Sequence, residues 1–329
     1  MVKYDFKIEF YNYDDTNYII ASKPKLTIDT ALSKAYIELT IGNNYGTESG
    51  MLYKAGSLKI YNVPQTFNEN KQLNIKFHDA VKISYKKLAY SNEYHFLLNG
   101  LIHTPMDTDY LSRDFSVDYD ITNSILNYKI NSIFREPADP TSINSPLIKR
   151  NINFKGKSIG EAISTVFKGN EELHLPKNIT NTKINRAFTC SSLNEFLTAL
   201  ARNYTIICKV EPQDKNNNID SVYHFYYKTV PKEGGDSFLK PLALEKFGLH
   251  FIPQQELKYS TETRQQLVYW NAQVLYTHRI EVNTRVSFND RFNNLITGVV
   301  EETSGSLSNR GACVLNLSIK DDKSTLASI

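Results

Sequence analysis

Strict alternation of apolar and polar residues at the start of the chain is the feature that most limits its fold. Apolar residues occupy every second position from 2 to 10, with lysine or acidic residues between them, and the same alternation returns at 114–121. Because strand side chains point alternately to opposite faces, each stretch predicts a strand with one buried face. Four further segments lie between them: KAYIELTIG, SLKIYNV, AVKISYKKL and YHFLLNGLIH. Turn-bounded segments rich in aromatic and β-branched residues predict a small antiparallel barrel, closed or nearly closed.

The middle of the chain changes to a helical period. SIGEAISTVFKG places Ser158 three residues before Glu161, and SSLNEFLTALARN places Ser192 three residues before Glu195. Each pair has the capping-box spacing, and apolar residues follow at the spacing of one helical face. The segments YTIICKV and VYHFYYKTV then flank a polar loop, which predicts a hairpin. We therefore predict a small α/β unit here.

A second β-rich block follows, with the segments LVYWNAQVLYT, HRIEVNTRVSF, NLITGVVEET and ACVLNLSIK. Gly298 in LITGVVE lies between apolar pairs, as Gly100 does in LLNGLIH. A glycine weakens a strand unless a bulge or a close backbone approach requires it, so its occurrence in both blocks indicates a duplicated barrel. The predicted fold class is mainly β with a small α/β insert, two similar antiparallel β-barrels linked by an α/β domain. The predicted domains are a barrel at 1–133, an α/β domain at 134–235 and a second barrel at 236–329.

Composition narrows the class of protein. A length of 329 residues, with 41% hydrophobic and 22% charged residues, is typical of a folded protein with a sizeable core. The net charge of +3 argues against nucleic-acid binding as the main task. The three cysteines lack metal-ligand spacing and are interpreted as reduced core residues of a protein made in a cytoplasm. No signal-peptide or membrane-span pattern occurs, so we expect a soluble protein.

Motifs that would carry chemistry have simpler structural explanations. NINFKGKS ends like a phosphate-binding loop, but Asn151 stands where the motif requires glycine, and Ser158 serves as a helix cap. The seven histidines have no ligand spacing. The carboxylate pairs at 107/109 and 118/120 fit the polar face of amphipathic strands. We therefore predict no catalytic residue, no cofactor site and no metal site.

An ordered set of short motifs carries a family resemblance. SLKIYNVP ends on an Asn-x-Pro corner, HDAVKISYKK opens the next strand, and YHFLLNGLIH contains an apolar-Gly-x-Ile pattern. The middle segment FTCSSLNEFLTALARNYTIICKV and the late segment NLITGVVEETSGSLSNRGACVLNLSI complete the set. This order resembles bacteriophage tail and baseplate hub proteins, which are late control protein D-like and related to the base of type VI secretion spike proteins. The residues that form this structural signature are Asn62, Pro64, Asp79, Asn99, Gly100, Ser192, Glu195 and Gly298.

The resemblance implies a structural virion protein rather than an enzyme. Such a hub is a homotrimer whose two barrels per chain give a pseudo-sixfold ring that joins the hexameric tail tube to the threefold central spike or tip. It implies contacts with the tail tube protein, the spike or tail-tip protein and other baseplate proteins, no membrane, and DNA only as cargo passing through the lumen. It also implies synthesis in the bacterial host cytoplasm. In one departure, RIEVNTRVSF stands where the family often has a Gly-Asp-x-Val strand.

Three hypotheses accompany this interpretation. The polar loops at 42–50 and 211–220 would reach adjoining rings or spike components. One alternative function is a tail-tip cell-wall hydrolase that uses Asp118 and Asp120. The other is a surface glycan- or receptor-binding β protein, with Trp270 and exposed tyrosines as its site.

Overall fold

The structure is a computed structural model, and it describes most of the chain. The described residues are 3–14, 19–33, 35–46, 51–61, 75, 78–88, 93–102, 107–109, 116–122, 133–141, 145–167, 172–186, 188–212, 221–227, 241–260, 265–282 and 284–323. Two signature residues, Asn62 and Pro64, lie outside them.

The first β unit is an antiparallel sheet. Its strands are β1 (Tyr4–Tyr11), β2 (Tyr13–Asp14), β3 (Ile19–Ile20), β4 (Leu26–Asp29), β5 (Tyr36–Gly46), β6 (Met51–Tyr61), β7 (Ala80–Lys87), β8 (His95–Ile102), β9 (Asp107–Asp109) and β10 (Ser116–Thr122). The strands pair in the order β4, β1, β7, β8, β10, β6, β5, with β9 also on β10 and β2 paired with β3. The alternation in β1 buries its apolar face as predicted. No described pairing joins β4 to β5, so closure of this unit into a barrel stays a prediction.

The middle unit combines helices with short strands. Its elements are β11 (Arg135–Pro137), β12 (Leu147–Lys149), β13 (Ile152–Asn153), α1 (Ile159–Phe167), β14 (Glu172–His174), α2 (Lys177–Thr180), β15 (Thr189–Cys190), α3 (Leu193–Tyr204), β16 (Ile206–Pro212) and β17 (Ser221–Tyr227). The helices α1 and α3 and the antiparallel pair β16–β17 share one buried apolar cluster. Ser158 and Ser192 accept hydrogen bonds from the amides of Glu161 and Glu195, at 3.2 Å in both cases, so both helix starts are confirmed.

The second β unit is a sheet with one short helix. Its elements are β18 (Leu242–Ala243), a 3-10 helix (Leu244–Phe247), β19 (Gln254–Ser260), β20 (Gln265–Leu275), β21 (Arg285–Asn289), β22 (Leu295–Ser308) and β23 (Val314–Asp321). The strands pair in the order β19, β20, β23, β22, β21, β18, and all neighbours are antiparallel except β21 and β18. The prediction of one strand through HRIEVNTRVSF is wrong in its first half, because β21 begins only at Arg285. Thr284 supplies the reason: its hydroxyl accepts from the amide of Glu281, and this local turn replaces ladder pairing.

The two β units form one continuous sheet, and the middle unit attaches to it. The end of β22 pairs antiparallel with β5, from Ser304 opposite Gly42 to Ser308 opposite Glu38. Buried residues of both β units belong to a single apolar cluster. The start of β6 pairs in parallel with β16 at residues 51–53 and 208–210. The mainly β fold class with a small α/β insert is thus confirmed.

Candidate functional site: the junction of the three units

The joint between the two β units is fixed by one asparagine in the turn after β22. The Asn309 Oδ1 atom accepts a hydrogen bond from the amide of Ile37 at 3.0 Å, and its Nδ2 atom donates to the carbonyl of Ala35 at 2.9 Å. Both partners lie at the start of β5, so a single side chain extends the ladder beyond its last strand pair. A side chain that satisfies two backbone groups is costly to replace.

An aromatic stack with a cation at each end lies beside this joint. The rings of Tyr36 and Tyr61 stack at 4.7 Å with an interplanar angle of 18°. Arg310 approaches the Tyr36 ring at 5.3 Å, and Lys59 approaches the Tyr61 ring at 5.4 Å. Glu38 accepts from both hydroxyl groups. Its hydrogen bond raises the pKa of Tyr36, while desolvation and the same carboxylate raise the pKa of Tyr61. The stack connects β5 and β6 with the turn that follows β22.

Buried tyrosines cross the same boundary on the core side. The Tyr4 hydroxyl donates to the carbonyl of Tyr276 at 3.3 Å, and the Tyr85 and Tyr276 rings meet edge to face at 5.6 Å. The Tyr85 hydroxyl also lies 3.1 Å from Nδ1 of His278. Burial raises the pKa of both Tyr85 and Tyr276, so these phenols stay protonated and act through hydrogen bonds and packing.

One carboxylate contacts all three units. Glu281 belongs to the second β unit, and its side chain pairs with Lys54 of β6 at 3.1 Å and with Lys209 of β16. Burial acts to raise the pKa of Glu281, but the two ammonium groups more than offset burial and hold the pKa below its ordinary value. The carboxylate is therefore ionised at neutral pH, and it bridges two cations that would otherwise repel each other.

The signature residues that the structure describes occupy structural positions. Asp79 is buried and pairs with Lys25, and its carbonyl accepts from the amide of Ile102 at 3.0 Å. Asn99 and Gly100 lie in β8 opposite residues 82 and 81 of β7. The Glu195 carboxylate accepts from the amide of Ser191 at 2.6 Å, one residue before the predicted capping-box partner. Their role as a family signature stays a prediction.

Gly298 lies where two strands approach closely. A Cβ atom at Gly298 would come within 2.4 Å of the Lys320 carbonyl oxygen and 2.7 Å of Ile319 Cγ2. The register of β22 against β23 shifts between Val300 and Glu302, close to this contact. The sequence signal of a glycine between apolar pairs therefore corresponds here to a close approach next to a bulge.

The residues considered for chemistry that the structure describes lie in the core or within strands. Trp270 is only 8% exposed; it packs edge to face on Phe288 at 5.5 Å and donates to Asp321 at 2.9 Å, so its ring is not a surface platform for a sugar. The backbone places Asp118 opposite Lys59 and opposite Asp107. Among the described residues, no group of three His, Cys, Asp or Glu side chains could hold a metal ion.

The three cysteines are buried, and none of them forms a disulfide. Burial raises the pKa of Cys190 to about 12 and that of Cys313 to about 11, and it also raises the pKa of Cys208. Thiols protonated at neutral pH are poor nucleophiles, which agrees with the interpretation of these residues as reduced core residues.

The junction residues were missed by sequence reasoning, because they come from segments that lie far apart in the chain. Asn309 and Glu281 are single polar residues in turns, and nothing in their local pattern distinguishes them from other turn residues. The polar stretch at 42–50 was also misassigned in part, since β5 continues as a strand to Gly46. The rest of that stretch and most of the loop at 211–220 lie outside the described residues.

Comparison with known structures shows that this architecture occurs in tail proteins. The 43 kDa tail protein of prophage MuSo2 from Shewanella oneidensis aligns with a TM-score of 0.54 at 9% identity, covering 96% of each chain. The tail protein from Neisseria meningitidis MC58 gives a TM-score of 0.54 at 9% identity over 98% of each chain. A chain of the Francisella PdpA-VgrG complex gives 0.56 at 9% identity, with 99% of this chain matched to 59% of that chain. The predicted resemblance to tail and spike-base proteins is confirmed at the level of the fold.

The described part of the chain contains no helix long and apolar enough to cross a membrane.

Two further comparisons concern the sequence itself. No curated protein matches the chain. The family described as "Protein of unknown function (DUF693)" matches residues 1–324. The chain therefore belongs to the DUF693 family.

Proposed function

We propose that this protein is a structural, non-enzymatic component of a phage tail or baseplate, and that it acts as the hub. In this proposal three copies form a ring in which two β units per chain give pseudo-sixfold symmetry. One face of the ring binds the hexameric tail tube, and the other binds the threefold central spike or tip. The protein is made in the bacterial host cytoplasm and is then built into the virion, where DNA passes through the lumen.

The observation that carries this proposal is the joining of two β units into one sheet through β5 and β22. A chain that must present two similar modules at fixed spacing needs a rigid connection between them. The backbone ladder, the Asn309 side chain and the shared apolar cluster supply that connection. The likeness in fold to two tail proteins over nearly the whole chain supports the same role.

The solution mass of the purified chain tests the proposal. Light scattering across a concentration series is expected to show a trimer, or a monomer that converts to a trimer as the concentration rises. Negative-stain images of the assembled fraction are then expected to show rings with a central lumen. A monomer at every concentration that also fails to bind purified tail tube would refute the hub role.

A further inference from the structure

The strand β19 forms an outer edge of the second β unit. It pairs with β20 along its full length, from Gln254 opposite Asn271 to Ser260 opposite Gln265. Within the described ranges, no strand pairs with the other side of β19. An edge strand of this length presents a row of backbone donors and acceptors that can pair with another chain.

The apolar face of the core sheet continues onto this edge. Leu257 lies opposite Val268, which packs against the shared apolar cluster. Yet Leu257 is 57% exposed, and Tyr259, two residues further on the same face, is 66% exposed. No described part of the chain covers these two side chains fully. Exposed apolar residues on an open sheet edge are typical of an association surface.

The order of side chains along β19 is complementary to itself. If two copies of β19 pair antiparallel with Leu257 opposite Leu257, then Glu256 of each copy lies opposite Lys258 of the other. Opposite charges placed directly across an antiparallel pair stabilise it, and like charges destabilise it. The two charges lie on the face opposite to Leu257, so the apolar pair and both charge pairs form at once.

Contacts within one copy hold both charged side chains on this face of the strand. Glu256 accepts from Asn271 Nδ2 at 3.0 Å, and the Lys258 ammonium lies 4.7 Å from the centre of the Tyr269 ring and 3.9 Å from Glu256 Oε2. Both charged side chains remain about two-fifths exposed. A strand of unrelated sequence would meet a fixed pattern of one negative and one positive charge, whereas a second copy of β19 meets its complement.

We propose that two copies of this chain associate through antiparallel pairing of β19 with β19 about a twofold axis. The contact extends the sheet of the second β unit across both copies. It is isologous, since each copy contributes the same surface, and it differs in symmetry from the proposed threefold ring. The inference does not rest on the ring, and either one stands if the other fails.

Charge reversal tests this contact. Sedimentation velocity across a concentration series is expected to show twofold association of the wild-type chain, either as a dimer of single chains or as a pair of the proposed rings. Glu256→Lys and Lys258→Glu each place like charges opposite one another at two symmetric positions, so each is expected to raise the dimer dissociation constant about tenfold. The double swap Glu256→Lys/Lys258→Glu restores both opposite-charge pairs and is expected to return the constant to within about threefold of wild type.

A cysteine pair provides an independent readout. The Leu257→Cys variant places two exposed thiols opposite each other at the twofold axis, and mild oxidation is expected to give a covalent dimer. Gln254→Cys is the matched control, because antiparallel pairing separates its two copies by about 20 Å and prevents the disulfide. Equal cross-linking of both variants would overturn the inference, as would wild-type dimerisation in both single charge variants. A trimer that neither charge variant changes would overturn it while supporting the proposed ring.

Discussion

Replacing Glu281 by glutamine is the most direct test of how the three units are held together. The substitution keeps the shape of the side chain and removes the charge that pairs with Lys54 at 3.1 Å and with Lys209. The side chains of the three residues are between 14% and 27% exposed, so solvent screens the pairs only in part. Hydrogen bonds to charged groups contribute about 1.5–3 kcal/mol each, and glutamine retains one acceptor. We expect a loss of about 2–3 kcal/mol in the free energy of unfolding.

Urea unfolding measures this loss, with the fluorescence of Trp270, the single tryptophan, as the reporter. The matched control is Glu302→Gln, which makes the same chemical change at an exposed position of β22 and is expected to alter stability by less than about 0.5 kcal/mol. If the two variants lose the same amount, then the Glu281 carboxylate does not hold the junction and the reasoning is refuted.

The pH dependence provides a second check on the same residue. The pKa of Glu281 is lowered in the folded chain, so the ionised form contributes stability above the unfolded-state pKa. That contribution is lost as the pH falls through the folded-state pKa. The difference between wild type and Glu281→Gln is therefore expected to be constant from about pH 6 to 8 and to shrink below the ordinary carboxyl pKa of about 4. A difference that grows on acidification would contradict the assigned ion pairs.

Three other substitutions or treatments have defined outcomes. Gly298→Ala places a Cβ atom 2.4 Å from a backbone oxygen and is expected to lower the free energy of unfolding in urea by about 2–3 kcal/mol. In the control Gly311→Ala, the new Cβ atom lies 3.5 Å from its nearest neighbours, and the expected loss is less than about 1 kcal/mol. Asn309→Ala removes two side-chain hydrogen bonds to the backbone of Ala35 and Ile37. It is expected to reduce hydrogen-exchange protection at the amide of Ile37 and to cost about 2 kcal/mol in the free energy of unfolding. A thiol reagent at pH 8 is expected to modify the three buried cysteines, Cys190, Cys208 and Cys313, only after denaturant is added. Rapid labelling of the folded chain would contradict their burial.

The elements that the sequence predicted well are those set by local chemistry. The helices α1 and α3 begin directly after Ser158 and Ser192, because a serine followed three residues later by a glutamate satisfies amides that have no helical partner. The strand β1 follows from strict alternation, since only an extended chain places all its apolar residues on one face. In each case the information lies within about ten residues of the element it specifies.

The parts that were missed depend on residues distant in the chain. The pairing of β5 with β22 joins positions more than 250 residues apart, and the alternation within each strand does not specify its neighbour. The segment at 278–282 has strand-like residues, yet Glu281 is used for ion pairs with two other units and Thr284 closes a turn. Tertiary contacts override local preference at this point, and the exception coincides with the junction.

The connections between the units differ in extent, which determines where the chain can move. The two β units share five residue pairs between β5 and β22, an apolar cluster and the Tyr4–Tyr276 hydrogen bond. Separating them would therefore expose core side chains and break the ladder at the same time. The middle unit joins the sheet through three residue pairs between β16 and β6, through the Lys209–Glu281 ion pair, and through small apolar contacts of Met51 and Val282. Ion pairs and short ladders open at lower free energy than a shared core. Loss of the Glu281 charge is therefore expected to loosen the middle unit first and to leave the two β units joined, and hydrogen exchange in β16 would rise before exchange in β5.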